Sequence, residues 1–128
     1  MRITNYGFVE VGKWEPSRDL KNEIDFKLHR FEKERVIYAF VVNGEEKYVG
    51  ACEVSETTLR RRMSTQRQNT RIARLIRTCL EQGKVVKIFA LKPEPSIQYK
   101  GIDVDLVKGL ENPLINILGT YKEWNKHR

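Results

Sequence analysis

Residues 36–42 read VIYAFVV, an unbroken apolar run rich in β-branched and aromatic side chains. A run of that length and composition fits a strand buried on both faces, so other elements must cover it from either side. Asn43-Gly44 follows, a strong hairpin signal, and Lys47–Cys52 returns as a second strand. Each strand carries one tyrosine, Tyr38 and Tyr48. They are either packing residues or working phenols, and the register between the strands bears on which.

A regular two-residue turn opposes Tyr48 to Ala39 and sends Tyr38 to the other face. A three-residue loop over Asn43–Glu45 instead opposes Tyr48 to Phe40 and Tyr38 to Gly50. Both phenols then share a face, and Gly50 leaves room beside Tyr38 for a phosphate. A shared site therefore predicts a three-residue loop or a bulge, with Asn43-Gly44 not making the tightest turn.

The flanking sequence supplies the covering elements. Ile24, Phe26 and Leu28 have strand period, and the first 35 residues read as an extended N-terminal hairpin. Ser55 can cap a helix that opens at Glu56 and carries Leu59 and Met63. After a polar break over Ser64–Asn69, Thr70 can cap a second helix. Its apolar residues Ile72, Leu75, Ile76, Cys79 and Leu80 form one stripe, and Gly83 ends it. Val85–Leu91 is a further strand, stopped by Pro93 and Pro95. Asp103 can cap a last helix with Val107, Leu110 and Leu114 inward, and Pro113 bends it or starts a new turn. The order implies an α+β fold, a small central mostly antiparallel sheet with helices packed on it and an N-terminal β extension.

At 128 residues the chain is long enough for one domain with a real core, and 40% apolar with 32% charged residues fits a soluble globular protein. No run reaches the roughly 18 apolar residues of a membrane span, and the N-terminus lacks a signal peptide's apolar segment. A cytoplasmic location is expected, with Cys52 and Cys79 reduced. Two cysteines and two histidines (His29 and His127) without close spacing do not make a zinc site.

The net charge of +7 is concentrated. Between Arg60 and Lys84 stand eight Lys or Arg and a single acid, Glu81, so this stretch alone accounts for +7. Such a patch is either the footprint of a nucleic-acid binder or a solvated helix face. No catalytic triad, P-loop or metal-ligand cluster is present. One constellation remains: Tyr38 and Tyr48 on the hairpin, arginines on the next helix, Glu111 in a mostly apolar segment, and Asn125 near the end. Burying Glu111 between Leu110 and Leu114 would be costly without a metal or cation beside it.

In order, "VIY", nine residues, "YVG", then "LRRR", "LENPL" and "EWN" resemble the motifs of the GIY-YIG nucleases, with Val36 replacing the first glycine. The match spans residues 36–125, with residues 1–35 as N-terminal extension and a basic helical insertion over about 64–84. It is most similar to the small stand-alone phage and restriction-type endonucleases. The resemblance implies a DNA endonuclease that uses Mg²⁺ or Mn²⁺. Glu111 would hold the metal, Arg62 would bind the scissile phosphate, and Tyr38 would orient or deprotonate the attacking water with Tyr48 as second phenol. A phenol is a poor base near neutrality, so Arg62 and the metal would have to lower its pKa.

Asn125 falls at the last motif position, and it either joins the site or holds the C-terminal chain by backbone hydrogen bonds. Arg60, Arg61, Arg67, Arg71, Arg74 and Arg77 are candidate phosphate contacts, and Gln66 and Asn69 candidate readers of base edges. Duplex DNA is the expected partner, and double-strand cleavage would call for a homo-oligomer. Two positions depart from the family: Ala51 where many members carry lysine, and Gln66 where they carry histidine or tyrosine. The alternative is therefore a catalytically weakened or inactive nucleic-acid-binding protein of the same fold.

Overall fold

The computed structural model describes residues 1–125, and His127 lies outside them. A 3₁₀ turn (Ile3–Tyr6) leads into the hairpin of β1 (Val9–Pro16) and β2 (Ile24–Leu28). A second hairpin joins β3 (Ile37–Val42) to β4 (Glu45–Ala51). Helices α1 (Leu59–Gln68) and α2 (Thr70–Glu81) follow, then β5 (Val86–Leu91). The chain ends with β6 (Ser96–Tyr99), β7 (Ile102–Asp105), α3 (Leu106–Gly109), α4 (Glu111–Leu118) and a 3₁₀ turn (Thr120–Lys122).

Five strands make one antiparallel sheet in the order β2-β1-β5-β3-β4. The expected α+β architecture is present. The N-terminal hairpin exists as expected but does not stand apart, because β1 pairs directly with β5. Its Val11, Trp14 and Ile24 are buried in the same core as β3. Trp14 packs edge-on against Phe26 and Phe40 at 5.6 and 5.7 Å between ring centres, contacts worth about 0.5–1.5 kcal/mol each beyond their burial.

Every residue of β3 is buried. Because strand side chains alternate, its residues feed two interiors. Tyr38, Phe40 and Val42 join Leu59 and Met63 of α1 and Ile72 and Ile76 of α2. Ile37, Ala39 and Val41 join Leu114, Ile115 and Leu118 of α4. The sheet is thus a middle layer between helices.

Three boundaries differ from the sequence reading. Helix α1 starts at Leu59, not Glu56. Glu56 is left-handed (φ 71°), and Thr58 rather than Ser55 is the cap, its side chain accepting from the Arg61 N–H. The expected polar break at 64–69 is helical as far as Gln68, because Gln66 continues the buried stripe of Leu59 and Met63. The cap of α2 is Asn69, whose Oδ1 accepts from the Ile72 N–H at 3.0 Å, and Thr70 is already helical.

After Pro95 the chain forms a hairpin ahead of the expected last helix. β6 and β7 pair across Lys100-Gly101, both left-handed (φ 50° and 83°), the geometry of a type I′ turn. Asp103 lies in β7 and bonds to Gln98, while the cap of the following helix is Asp105, which accepts from the Val107 N–H. Pro113 does mark a new turn: α3 ends at Gly109, and Pro113 sits in the first turn of α4, where an amide hydrogen is not needed.

Candidate functional site

The β3–β4 register is the first determinant of the site. Tyr38 opposes Gly50 and Phe40 opposes Tyr48, then the register shifts so that Val41 meets Glu46 and Val42 meets Glu45. The shared face and the Tyr38–Gly50 pair are as expected, and the bulge, not a longer loop, produces them. Asn43-Gly44 does make the tight turn, with φ of 47° and 85°, contrary to expectation. The bulged residue, Lys47, is held from outside the sheet. Its carbonyl accepts from the Trp124 N–H at 2.9 Å, and its ammonium pairs with Glu123 at 3.0 Å and Glu45 at 3.3 Å.

Gly50 is required by the packing of Tyr38, whose own ring fills the space expected to receive a phosphate. A Cβ there would lie 2.5 Å from the Tyr38 oxygen and 2.8 Å from Cε2, closer than real side chains approach. Tyr38 is fully buried and sits 6.3 Å from the Tyr48 ring. Helix α1 brings two side chains to it, one turn apart. Arg62 donates to the Tyr38 oxygen from Nη2 at 2.9 Å and from Nε at 3.3 Å. Gln66 donates from Nε2 to the Tyr38 oxygen at 2.8 Å and to the Tyr48 oxygen at 3.1 Å. Gln66 is buried, and among the described residues its Oε1 has no partner, as is also true of Trp14 Nε1 and Thr120 Oγ1.

Electrostatics run against one expectation. Burial pushes the Tyr38 phenol far above its ordinary value, and Tyr48 adds to the rise. Arg62 and Gln66 pull the other way without overcoming it. Tyr38 is therefore a neutral phenol at rest, because the loss of water outweighs the nearby guanidinium.

Beside this cluster opens a cleft of about 410 Å³, lined by Ala51, Glu53, Val54, Thr57, Arg61, Arg62 and Thr65. One wall is fixed by Arg35, whose guanidinium donates to the carbonyls of Glu53 at 2.6 Å and Val54 at 3.3 Å and pairs with Asp105 at 2.6 Å. Nothing in the local sequence marks Arg35 for this, since its partners lie up to 70 residues away. A second hollow of about 320 Å³, between Met1, Val41, Val85 and Phe89, offers no carboxylate among its lining residues.

Glu111 enters from elsewhere. It is half-buried in the first turn of α4, whose apolar face packs on the sheet face opposite the phenols. Asn125 is buried and pairs with the edge strand in both directions: the Val49 N–H donates to Oδ1 at 2.9 Å, and Nδ2 donates to the Val49 carbonyl at 3.0 Å. Of the two readings open for Asn125, the backbone-holding one describes these contacts. It completes the ladder on β4 between the positions of Tyr48 and Gly50.

The basic segment is partly spoken for. Arg60 pairs with Glu32 and Arg67 with Asp25, each at 3.1 Å. Arg71 donates to the Trp124 carbonyl at 2.7 Å, and Arg77 to that of Asn22 at 3.0 Å. Arg61 and Arg74 are exposed, as is Asn69, which spends its oxygen on the cap of α2. Exposed ion pairs of this kind are worth about 0–1 kcal/mol and yield readily to a phosphate.

No family model matches the chain, and no curated protein matches it in sequence. Its fold is nevertheless shared with solved structures. A mutant of bacteriophage T4 EndoII matches at a TM-score of 0.70 and 22% identity, over 92% of this chain and 92% of that one. The restriction endonuclease HPY188I in complex with product DNA matches at 0.52 and 17% identity, over 94% of this chain and 79% of that one. The chain shares the α+β fold of these two structures.

Proposed function

We propose that the protein is a magnesium- or manganese-dependent endonuclease that hydrolyses phosphodiester bonds in duplex DNA, of the GIY-YIG type. The observation that carries this reading is the convergence of Tyr38, Tyr48, Arg62 and Gln66 beside an arginine-lined cleft. The fold it shares with a restriction endonuclease seen with product DNA adds support.

Arg62 binds the scissile phosphate. Its Nε and Nη2 are aimed at Tyr38, which leaves Nη1 for a phosphate oxygen, and the guanidinium stays charged through the reaction. Tyr38 orients the attacking water as a neutral phenol, and Tyr48 shares its hydrogen-bond network through Gln66. Glu111 is the residue to hold the metal. A lone carboxylate oxygen donor fits a hard divalent cation that keeps most of its water shell. When bound, such an ion supplies charge relief on the phosphate and a more acidic water. Arg61 and Arg74 contact the DNA backbone, and Arg60, Arg67, Arg71 and Arg77 add to the positive field that attracts it. Double-strand cleavage would use two or more copies, in the cytoplasm.

A second reading, a weakened or inactive DNA-binding protein of the same fold, is favoured by the raised pKa of Tyr38. Nicking of supercoiled plasmid separates the two. The endonuclease reading expects cleavage that needs Mg²⁺, is stopped by chelation, and falls about 100-fold or more in Glu111→Ala. A Glu111→Ala protein that cleaves at the native rate removes Glu111 from the site. Salt-sensitive DNA binding without cleavage by any variant or metal establishes the second reading.

A further inference from the structure

Hydrolysis needs a group that takes a proton from the attacking water. Tyr38 is fully buried and keeps its own proton, so it does not supply one. The cleft beside it narrows the choice. Among its lining residues, Ala51 and Val54 are apolar, and the hydroxyls of Thr57 and Thr65 are too weakly basic to be protonated near neutrality. Arg61 and Arg62 are already protonated. Glu53 is the lining residue that remains. It is exposed, and among the described residues its carboxylate pairs with neither arginine of the cleft. Its main chain is nevertheless fixed. Arg35 donates to the Glu53 carbonyl at 2.6 Å and to the Val54 carbonyl at 3.3 Å while anchored on Asp105. The side chain thus stands on a braced rim with its acceptor oxygens free.

We infer that Glu53 is a further catalytic residue, the general base that takes a proton from the water attacking a phosphate held in the cleft by Arg62. The inference rests on the nuclease reading of the site and adds the proton acceptor which that reading lacks. The water oxygen bonds to phosphorus as one of its protons passes to the Glu53 carboxylate. The phosphorus–oxygen bond to the sugar breaks, and the leaving oxygen takes a proton from solvent. Glu53 then returns its proton to solvent. A carboxylate in this cleft also repels the phosphate it serves, so Glu53 weakens binding and contributes only to turnover.

Glu53→Gln keeps the shape of the side chain and removes the base. Plasmid cleavage by this variant in Mg²⁺ should fall about 100-fold or more in kcat. Its affinity for duplex DNA, measured by fluorescence anisotropy in EDTA, should equal or exceed that of the native protein, an outcome that a merely structural role would not produce. Its thermal midpoint should stay at the native value, because the side chain is exposed. Formate, small enough to enter the space vacated in Glu53→Ala, should raise the rate of that variant about tenfold or more. A native kcat in Glu53→Gln, with the native protein cleaving, overturns the inference and leaves the nuclease reading standing. Recovery of Glu53→Ala by raised Mg²⁺ but not by formate also overturns it, since the carboxylate would then hold the metal. A native protein that cleaves with no divalent metal overturns the nuclease reading, and this inference with it.

Discussion

Tyr38, Phe40 and Val42 alternate along one strand with Ile37, Ala39 and Val41, yet the two sets face interiors of different character. On the α4 side the contacts are between aliphatic side chains of Ile37, Ala39, Val49, Leu114 and Ile115 and the ring of Phe89. On the α1 side, Gln66 and two phenols are embedded among Leu59, Met63 and Ile72, with Arg62 at the margin and one carboxamide oxygen unpaired among the described residues. An apolar layer needs only shape and area to be stable. The other layer contains polar groups whose burial costs stability, which points to selection for chemistry. The comparison predicts that substitutions on the two sides fail in different ways.

Among the substitutions that separate the two sides, the largest effect is expected at Gly50. Gly50→Ala forces the Tyr38 ring away from Arg62, and a displacement of about 1 Å at a reacting group costs on the order of 100-fold in rate. Cleavage assays on folded protein check this, and a native rate would mean the Tyr38–Gly50 contact does not matter. On the opposite side, Ile115→Ala should cost about 2–5 kcal/mol of stability by denaturant unfolding, with kcat of the folded protein unchanged. If the rate instead collapses, the two interiors are not separate.

Asn125→Ala should be intermediate, losing about 1–3 kcal/mol as the Val49 N–H and carbonyl are left unpaired. If Asn125 acts only by bracing the strand, any loss of activity should be recovered at lower temperature.

The smallest effect is seen only at high pH. The Tyr38 pKa is raised on folding, so above the ordinary tyrosine value of about 10 the unfolded chain releases a proton that the folded one keeps. Stability then falls with rising pH, by about 1.4 kcal/mol per unit for this one group. Tyr38→Phe should flatten that slope and leave the slope below about pH 9 unchanged, on top of a uniform loss from the missing Arg62 and Gln66 hydrogen bonds. Identical slopes would contradict the buried neutral phenol.

Much of this division was legible in the sequence. The central strand follows from an uninterrupted apolar run, and the Tyr38–Gly50 pair follows from asking which register places both phenols on one face. The tight turn was not legible, because Asn43-Gly44 and the bulge are independent. The bulge at Lys47 depends on Trp124 and Glu123, contacts made far away in the chain. The β6–β7 hairpin carries a local signal, strand alternation around Lys100-Gly101, which the resemblance of Asp103 to a helix cap masks. That Gln66 bridges the phenols follows from its place one turn after Arg62 only once α1 is known to run unbroken through the polar residues. The wall built by Arg35, Glu53 and Asp105 had no signal at all.

The central claim is that the polar interior is a phosphodiesterase site organised around Arg62. Plasmid cleavage by Arg62→Ala in Mg²⁺, with its thermal midpoint measured alongside, tests it most directly. The account predicts a native protein that cleaves and a variant that stays folded while slowing by about 100-fold or more. A folded Arg62→Ala protein that cleaves as fast as the native one would contradict it.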